Sequence, residues 1–355
     1  PDVRKDLFVA KLNSSGNTKW FVTYDFSQQD DEGKAITLDT IGNVYVCGSS
    51  IGSGTSDDYV TIKLDSLGNI LWSSRYDFNS DNDIANAIVV NKYNGNVFVT
   101  GYSDANISSK VTNYDIATVK YSSTGNQLAV VRYNGAANGI DRPIDMSIIP
   151  TSVFSTTFLV ITGRTWNGSN YDILTLKYNA TLGQQWAATY AGAGNKDDEA
   201  RDLVLESTTG DVYVAGSTGT ASNGLDLLAI KYNSSGVQQW AFTNNGAGNY
   251  NDVAYGALVT SSAAYVTGRT APSAAGDTAD LITFKLDKST GASLWSTIYK
   301  GTGGALDRGN ALGADQFGNI YTTGQSKGVS NLDMITQIYD SGGKIKWTAR
   351  YDGPG

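Results

Sequence analysis

The residues able to do chemistry are few in kind and concentrated in two places. Polar and charged side chains cluster at Arg142, Asp145, Arg201, Asp202, Tyr255 and Arg308, where an otherwise repetitive chain departs from its own pattern. A carboxylate, a guanidinium and a phenol near one another could bind a polar ligand or move a proton on a sugar. The second group is a set of oxygen-rich loops, with Asp81 and Asp83 in Ser80-Asp81-Asn82-Asp83 and Asp197 and Asp198 in Asn195-Lys196-Asp197-Asp198. Carboxylate and carbonyl oxygens suit Ca²⁺, although neither loop has EF-hand spacing. Ca²⁺ is therefore the one cofactor to consider. The plainer expectation is that one Asp per loop accepts backbone N–H bonds and shapes a turn.

Composition removes other chemistries. The chain of 355 residues contains no histidine and a single cysteine, Cys47. Ser-His-Asp and Cys-His catalysis, His-ligated metals, internal disulfides and thiolate clusters are excluded. The net charge of −8 repels phosphate backbones, so nucleic acid is not an expected partner. No apolar stretch is long enough to span a bilayer as a helix. The N-terminal PDVRKDLF does not read as a signal peptide.

The elements that must position these residues are set by repetition. An Asp opens a short apolar strand at Asp6, Asp58, Asp115, Asp172, Asp226, Asp280 and Asp333, at intervals of 52, 57, 57, 54, 54 and 53 residues. A Trp follows at Trp20, Trp72, Trp186, Trp240, Trp295 and Trp347, and Ala129 takes its place in the third copy. Such a period with strand-like units marks a repeat architecture. In DYVTIKLDSLGNILWSSRY, Val60, Ile62 and Leu64 alternate with Thr61 and Lys63, a turn follows at Gly68, and Trp72 begins the return. A second hairpin carries Gly-Asn or Gly-Asp turns, as in GNVYVCG, GNVFVTG and GNIYTTG, with strand-final glycines at 48, 101, 163, 216, 268 and 324. Four short strands per fifty residues is the make-up of an all-β propeller blade. The six tryptophans are expected to be structural, packing blade on blade. So are the repeated lysines Lys11, Lys63, Lys120, Lys177, Lys231 and Lys285, their stems covering aromatic faces.

The pattern D-hydrophobic-K-[LY]-[DN]-x-x-G-x-x-x-W followed by G-N-x-Y-V-x-G resembles the bacterial β-propeller repeat called SBBP, over residues 6 to 351. The resemblance implies a secreted or cell-surface protein whose partners are proteins or glycans. The motif DKSTGASLW at Asp287 also looks like the tryptophan-docking motif of quinoprotein dehydrogenases, but the single cysteine does not match the paired cysteines many of them carry.

On propeller phasing the Gly-Asn hairpin supplies the two inner strands and the Asp-to-Trp hairpin the two outer ones. One domain then spans 1–355: an outer hairpin at 6–25 and blades at about 31–77, 83–134, 141–191, 198–244, 252–300 and 307–351. The expected architecture is seven-bladed with an incomplete seventh blade, completed by a partner or by a segment after Gly355. A six-bladed propeller with an extra N-terminal hairpin is the alternative. Arg142, Asp145, Arg201, Asp202, Tyr255 and Arg308 would then flank the channel mouth, with Trp166 in a nearby loop able to stack on a sugar or a protein. The long loops 102–114 and 269–279 lie on the same side. The expected function is a non-catalytic extracellular binding or assembly module. A carbohydrate-active enzyme, glycosidase or lyase, with its site at the channel mouth is the alternative.

Overall fold

The computed structural model describes residues 4–52, 56–104, 113–149, 157–221, 224–247, 250–272, 278–301, 306–328 and 331–353. Most of the long loops 102–114 and 269–279 lies outside them. Every regular element among the described residues is a β-strand. The strands form a β-propeller of six four-stranded antiparallel sheets, each built from consecutive strands in sequence order, and one two-stranded sheet. The four-stranded sheets span residues 31–76, 83–133, 142–190, 199–244, 253–299 and 307–351. The two-stranded one pairs β1 (Leu7–Leu12) with β2 (Thr18–Tyr24) and is the incomplete blade.

The chain forms two compact units, one of residues 1–168 with 176–185 and one of 169–175 with 186–355. In the first unit, β1 and β2 precede the sheet β3 (Asp31–Leu38), β4 (Val44–Ile51), β5 (Asp57–Leu64) and β6 (Ile70–Tyr76). The next sheet opens with β7 (Asp83–Val90) and β8 (Val97–Asp104). Within each unit the first strands of successive sheets are neighbours, as expected for the innermost position.

Every complete blade has an irregularity between its first two strands. The register shifts across Gly33/Ala35, Ala85/Ala87, Pro143/Asp145, Ala200/Asp202, Ala254/Gly256 and Gly309/Ala311. One extra residue is inserted each time: Lys34, Asn86, Ile144, Arg201, Tyr255 or Asn310. This is a β-bulge, which bends the strand and re-aims one side chain. It also explains the strand-final glycines. A Cβ on Gly48 would overlap the Glu32 carbonyl, and one on Gly101 the Ile84 carbonyl.

Blades are joined by docking a tryptophan onto the next blade's turn. The Trp20 indole lies on Gly68, Trp72 on Gly125, Trp186 on Gly236, Trp240 on Gly291 and Trp295 on Gly343; a Cβ on any of these glycines would sit 2.5–2.8 Å from the ring. Each of the five glycines has positive φ, which a side chain would strain. The indole N–H donates to a backbone carbonyl in the same turn. Trp20 uses Ser66, Trp72 Ser123, Trp186 Ser234, Trp240 Lys288 and Trp295 Ser341, all at 3.1 Å.

The repeated lysines reach the same carbonyls, and Lys231 also pairs with the Asp211 carboxylate at 2.9 Å. Lys11 donates to Ser66 at 3.0 Å, Lys63 to Ser123 at 3.2 Å, Lys231 to Lys288 at 3.1 Å and Lys285 to Ser341 at 3.4 Å. Their ammonium groups also lie over Tyr45, Tyr213 and Tyr265, and those of Lys120 and Lys177 over Phe98 and Phe158. Trp347 differs from the other five tryptophans: its indole is 50% exposed.

The missing tryptophan now has an explanation. In the register of the repeat, position 129 overlies position 182. The turn that carries glycine elsewhere carries Leu182 there, at φ 65° and buried. Lys120 still reaches this turn, donating to the Ala180 carbonyl at 2.8 Å, so the blades meet as elsewhere. Leu182 is thus a buried side chain at the turn's glycine position in the one copy whose tryptophan position holds alanine.

The exchange predicts a coupled pair. Ala129→Trp alone overpacks against Leu182 and Leu182→Gly alone leaves a cavity, each costing about 1–3 kcal/mol. The double variant rebuilds the indole-on-glycine contact, so chemical denaturation should show it more stable than the sum of the single changes by at least about 1 kcal/mol.

Candidate functional site

The loop aspartates are structural fixtures. In every complete blade one carboxylate oxygen accepts a backbone N–H from the start of its loop: Phe26 to Asp31, Phe78 to Asp83, Gly135 to Asp141, Gly192 to Asp198, Gly246 to Asp252 and Gly301 to Asp307, at 2.6–2.8 Å. The Asp N–H then reaches back to the preceding blade. Asp31 donates to Lys5, Asp141 to Tyr114, Asp198 to Tyr171, Asp252 to Leu225 and Asp307 to Ala279, at 2.6–2.7 Å.

The carboxylates suggested for Ca²⁺ have identifiable surroundings. Asp198 spends both oxygens on the Gly192 and Gly219 N–H groups, and Asp197 accepts the Tyr171 N–H at 2.9 Å. Asp83 groups with Asp58 and Asp77, not with Asp81, each offering an oxygen within 4.8 Å of the others. This trio could hold a hard cation, but Arg75 already ion-pairs with Asp58. Burial pushes the Asp83 carboxyl up to about 7, opposed by hydrogen bonds from Ser103 and Phe78. Asp31, Asp141 and Asp198 are raised by burial in the same way. Cys47 is buried and inert, its thiol pushed up to about 12 by burial.

The residues of the expected channel-mouth site are held by identifiable partners. In the first unit, Arg142 lies over the rings of Tyr102 and Tyr114, 4.5 and 4.9 Å from their centroids. Asp145 accepts the N–H of its neighbour Met146 at 2.7 Å. Trp166 is folded onto the chain: a Cβ on Gly139 would collide with its ring. In the second unit, Arg201, Tyr255 and Arg308 come together. Both guanidiniums face the Tyr255 ring, at 5.8 and 4.6 Å, with Glu199 paired to Arg201 and Gln325 accepting from Arg308 at 3.3 Å. Two of the three, Arg201 and Tyr255, carry or border bulges, which is why they project from the first strands. Asp202 is a strap between blades, accepting the Leu203 N–H at 2.9 Å and the Ala257 N–H at 2.6 Å.

The feature that sequence reasoning missed lies in the first unit, beside β1. Leu7 and Val9 pack against Val44, Val46, Val60 and Ile62, so one face of the hairpin is built into the next blade. Among the described residues, the strand that would continue the sheet from the other edge of β1 has no counterpart. Behind that edge runs a groove of about 450 Å³, lined by Val9, Ala10, Leu12, Trp20, Ile36 and Leu38. Ile36 and Leu38 are 60% and 61% exposed, whereas Ile88 and Val90, at the same positions of the next blade, are 5% and 7% exposed. Phe8 and Phe21 stack 5.5 Å apart on the hairpin's other face, both exposed.

Residues 22–54 and 294–333 match the family described as the SBBP beta-propeller repeat. The chain carries SBBP repeats. No curated protein matches it. Among solved structures it is similar to the quinohemoprotein alcohol dehydrogenase from Comamonas testosteroni, at 12% identity and TM-score 0.59, covering 90% of this chain and 60% of that one. It is also similar to the polysaccharide lyase Uly1, at 10% identity and TM-score 0.54, covering 94% and 85%. At such identities the likeness is one of fold. The chain thus spans about 60% of the dehydrogenase, and the activities of both neighbours belong to those proteins.

The buried carboxyls give a pH signature. An Asp raised to about 7 in the folded state keeps a proton that the unfolded chain, titrating near 4, has already released. Between these values the folded state holds this extra proton, so the Asp83 contribution to stability falls as pH rises from about 4 to about 7, by at most about 1.4 kcal/mol per pH unit. Asp83→Asn should flatten that slope by its largest single share, measured by urea denaturation at stepped pH.

Proposed function

We propose that this chain is a non-catalytic binding and assembly module of a secreted or cell-surface protein, and that its partner is a polypeptide. One observation carries the reading: among the described residues the inner edge of β1 is unpaired, beside an apolar wall of Ile36 and Leu38 whose counterparts in the next blade, Ile88 and Val90, are covered. Strand edges and exposed apolar patches are the surfaces on which proteins associate. A low-charge chain rich in Ser, Thr, Asn, Gly and Tyr fits export, as does the repeat type. No helix among the described residues is long and apolar enough to cross a membrane.

The carboxylates support the same reading. Glycoside chemistry needs two carboxyl groups about 5–10 Å apart with room for a sugar between them. The acids placed at the expected mouth are engaged elsewhere: Asp145 and Asp202 on backbone N–H groups and Glu199 on Arg201. Trp166, the residue best suited to stack on a sugar, lies against Gly139.

The test has two arms. An apolar fluorophore should bind the wild-type chain, and Ile36→Asp with Leu38→Asp should cut its signal several-fold without changing the circular dichroism, since both side chains are exposed. Uronate-containing and neutral polysaccharides should yield no new reducing ends and no unsaturated products. Turnover in the second arm, or an unchanged signal in the first, overturns the reading.

A further inference from the structure

We infer that the open edge of β1, with the wall of Ile36 and Leu38, receives a β-hairpin of the repeat's own inner type: a strand opening on Asp, a Gly-Asn turn, and a second strand with the pattern hydrophobic-aromatic-hydrophobic-x-Gly. This rests on the binding-module reading and names the partner.

The repeat itself says what belongs there. β1 occupies the third-strand position of its sheet, the position β5 holds in the next, because the Asp6 and Asp58 copies align and both strands return through a Trp-bearing strand. On β5 the inner edge is occupied by β4, with Val44 opposite Leu64 and Ser50 opposite Asp58. On β1 that edge has no partner strand among the described residues. The face is missing as well as the edge. Tyr45 and Cys47 of β4 pack with Ile88 and Val90, which is how those residues become buried. Ile36 and Leu38 are their equivalents and wait for the same two side chains from a strand in the β4 position. An aromatic residue flanked by β-branched ones, ending in a Gly that can pass close to a bulged neighbour, meets both demands.

The source follows by elimination. The six inner hairpins among the described residues, at 31–51, 83–104, 142–166, 199–219, 253–270 and 307–327, are paired within their own four-stranded sheets. A second copy of these residues could donate one only by dismantling a blade. The hairpin is therefore not one of those already paired among the described residues. Chemically, the partner is another SBBP-type inner hairpin.

The probe is a synthetic hairpin with the sequence of residues 83–104, titrated into the full chain. Binding should saturate at one equivalent and slow amide exchange at least ten-fold at residues 7–12. Ile36→Asp with Leu38→Asp should weaken it at least ten-fold. A peptide N-methylated on the strand edge facing β1 should give no protection, a control that leaves the protein untouched. Absence of protection at 7–12, protection that survives N-methylation, or dimers of the chain alone protected at 7–12 would each overturn the inference. If the peptide fails while the charged variant still suppresses fluorophore binding, the named occupant falls and the binding-module reading stands.

Discussion

The indole laid on a glycine turn is the contact on which this architecture depends. A single blade is a twisted sheet with two apolar faces, and it cannot bury both alone. The tryptophan solves three problems in one contact. It covers apolar area, it fixes the distance between blades because only a residue without Cβ fits beneath the ring, and its indole N–H donates to a carbonyl of that turn. The lysine adds a second donor to that carbonyl while its stem lies across the aromatic residue of its own blade. The loop aspartate does the corresponding work at the other end of the strands, taking its own loop's N–H and giving one back to the previous blade. The likeness to a tryptophan-docking motif is thus physical at the level of blade packing, and it says nothing of a quinone.

Once these contacts are recognised, most of the conspicuous chemistry is accounted for as scaffold. A recurring carboxylate is committed to backbone groups, and the oxygen-rich loops are read by their own N–H groups first. What remains free to vary is the bulge residue. A bulge forces one side chain per blade out of the sheet's alternation, and the fold does not care which one. Lys34, Asn86, Ile144, Arg201, Tyr255 and Asn310 occupy it, and at Arg201 and Tyr255 this variation has produced a stack of guanidinium on phenol, joined by Arg308.

The period, the strands and the two hairpins per blade were legible because alternation and turn glycines are local signals that six copies reinforce. The bulge was not, since one inserted residue in a short strand is indistinguishable from a variable column. Nor was the pairing of Ala129 with Leu182. A lost tryptophan reads as a defect until one knows that its partner lies on the turn of the following blade, where the glycine is also gone. The exposure of Ile36 and Leu38 was the least legible of all. Their copy of the repeat is written in the same residues as its neighbours, and burial here is decided by what stands in front of the strand, which no property of the strand itself records.

That asymmetry bears on how the hairpin of β1 and β2 holds its shape. A lone two-stranded ribbon is marginal in water. This one borrows stability from one side only, through Leu7, Val9 and the Trp20 indole on Gly68. Its other edge carries little of the usual protection: no proline, a register shift confined to its end at Lys11/Leu12, and a Lys11 already engaged by Ser66. A sequence that places Ile36, Leu38, Leu12 and Phe8 around such an edge accepts a standing risk of aggregation unless the edge is normally filled. The residues that would make the filled state stable are the same ones that make the unfilled state costly, so binding at this edge and folding of the hairpin draw on one free energy, and whatever strand completes the sheet also fixes β1 in place.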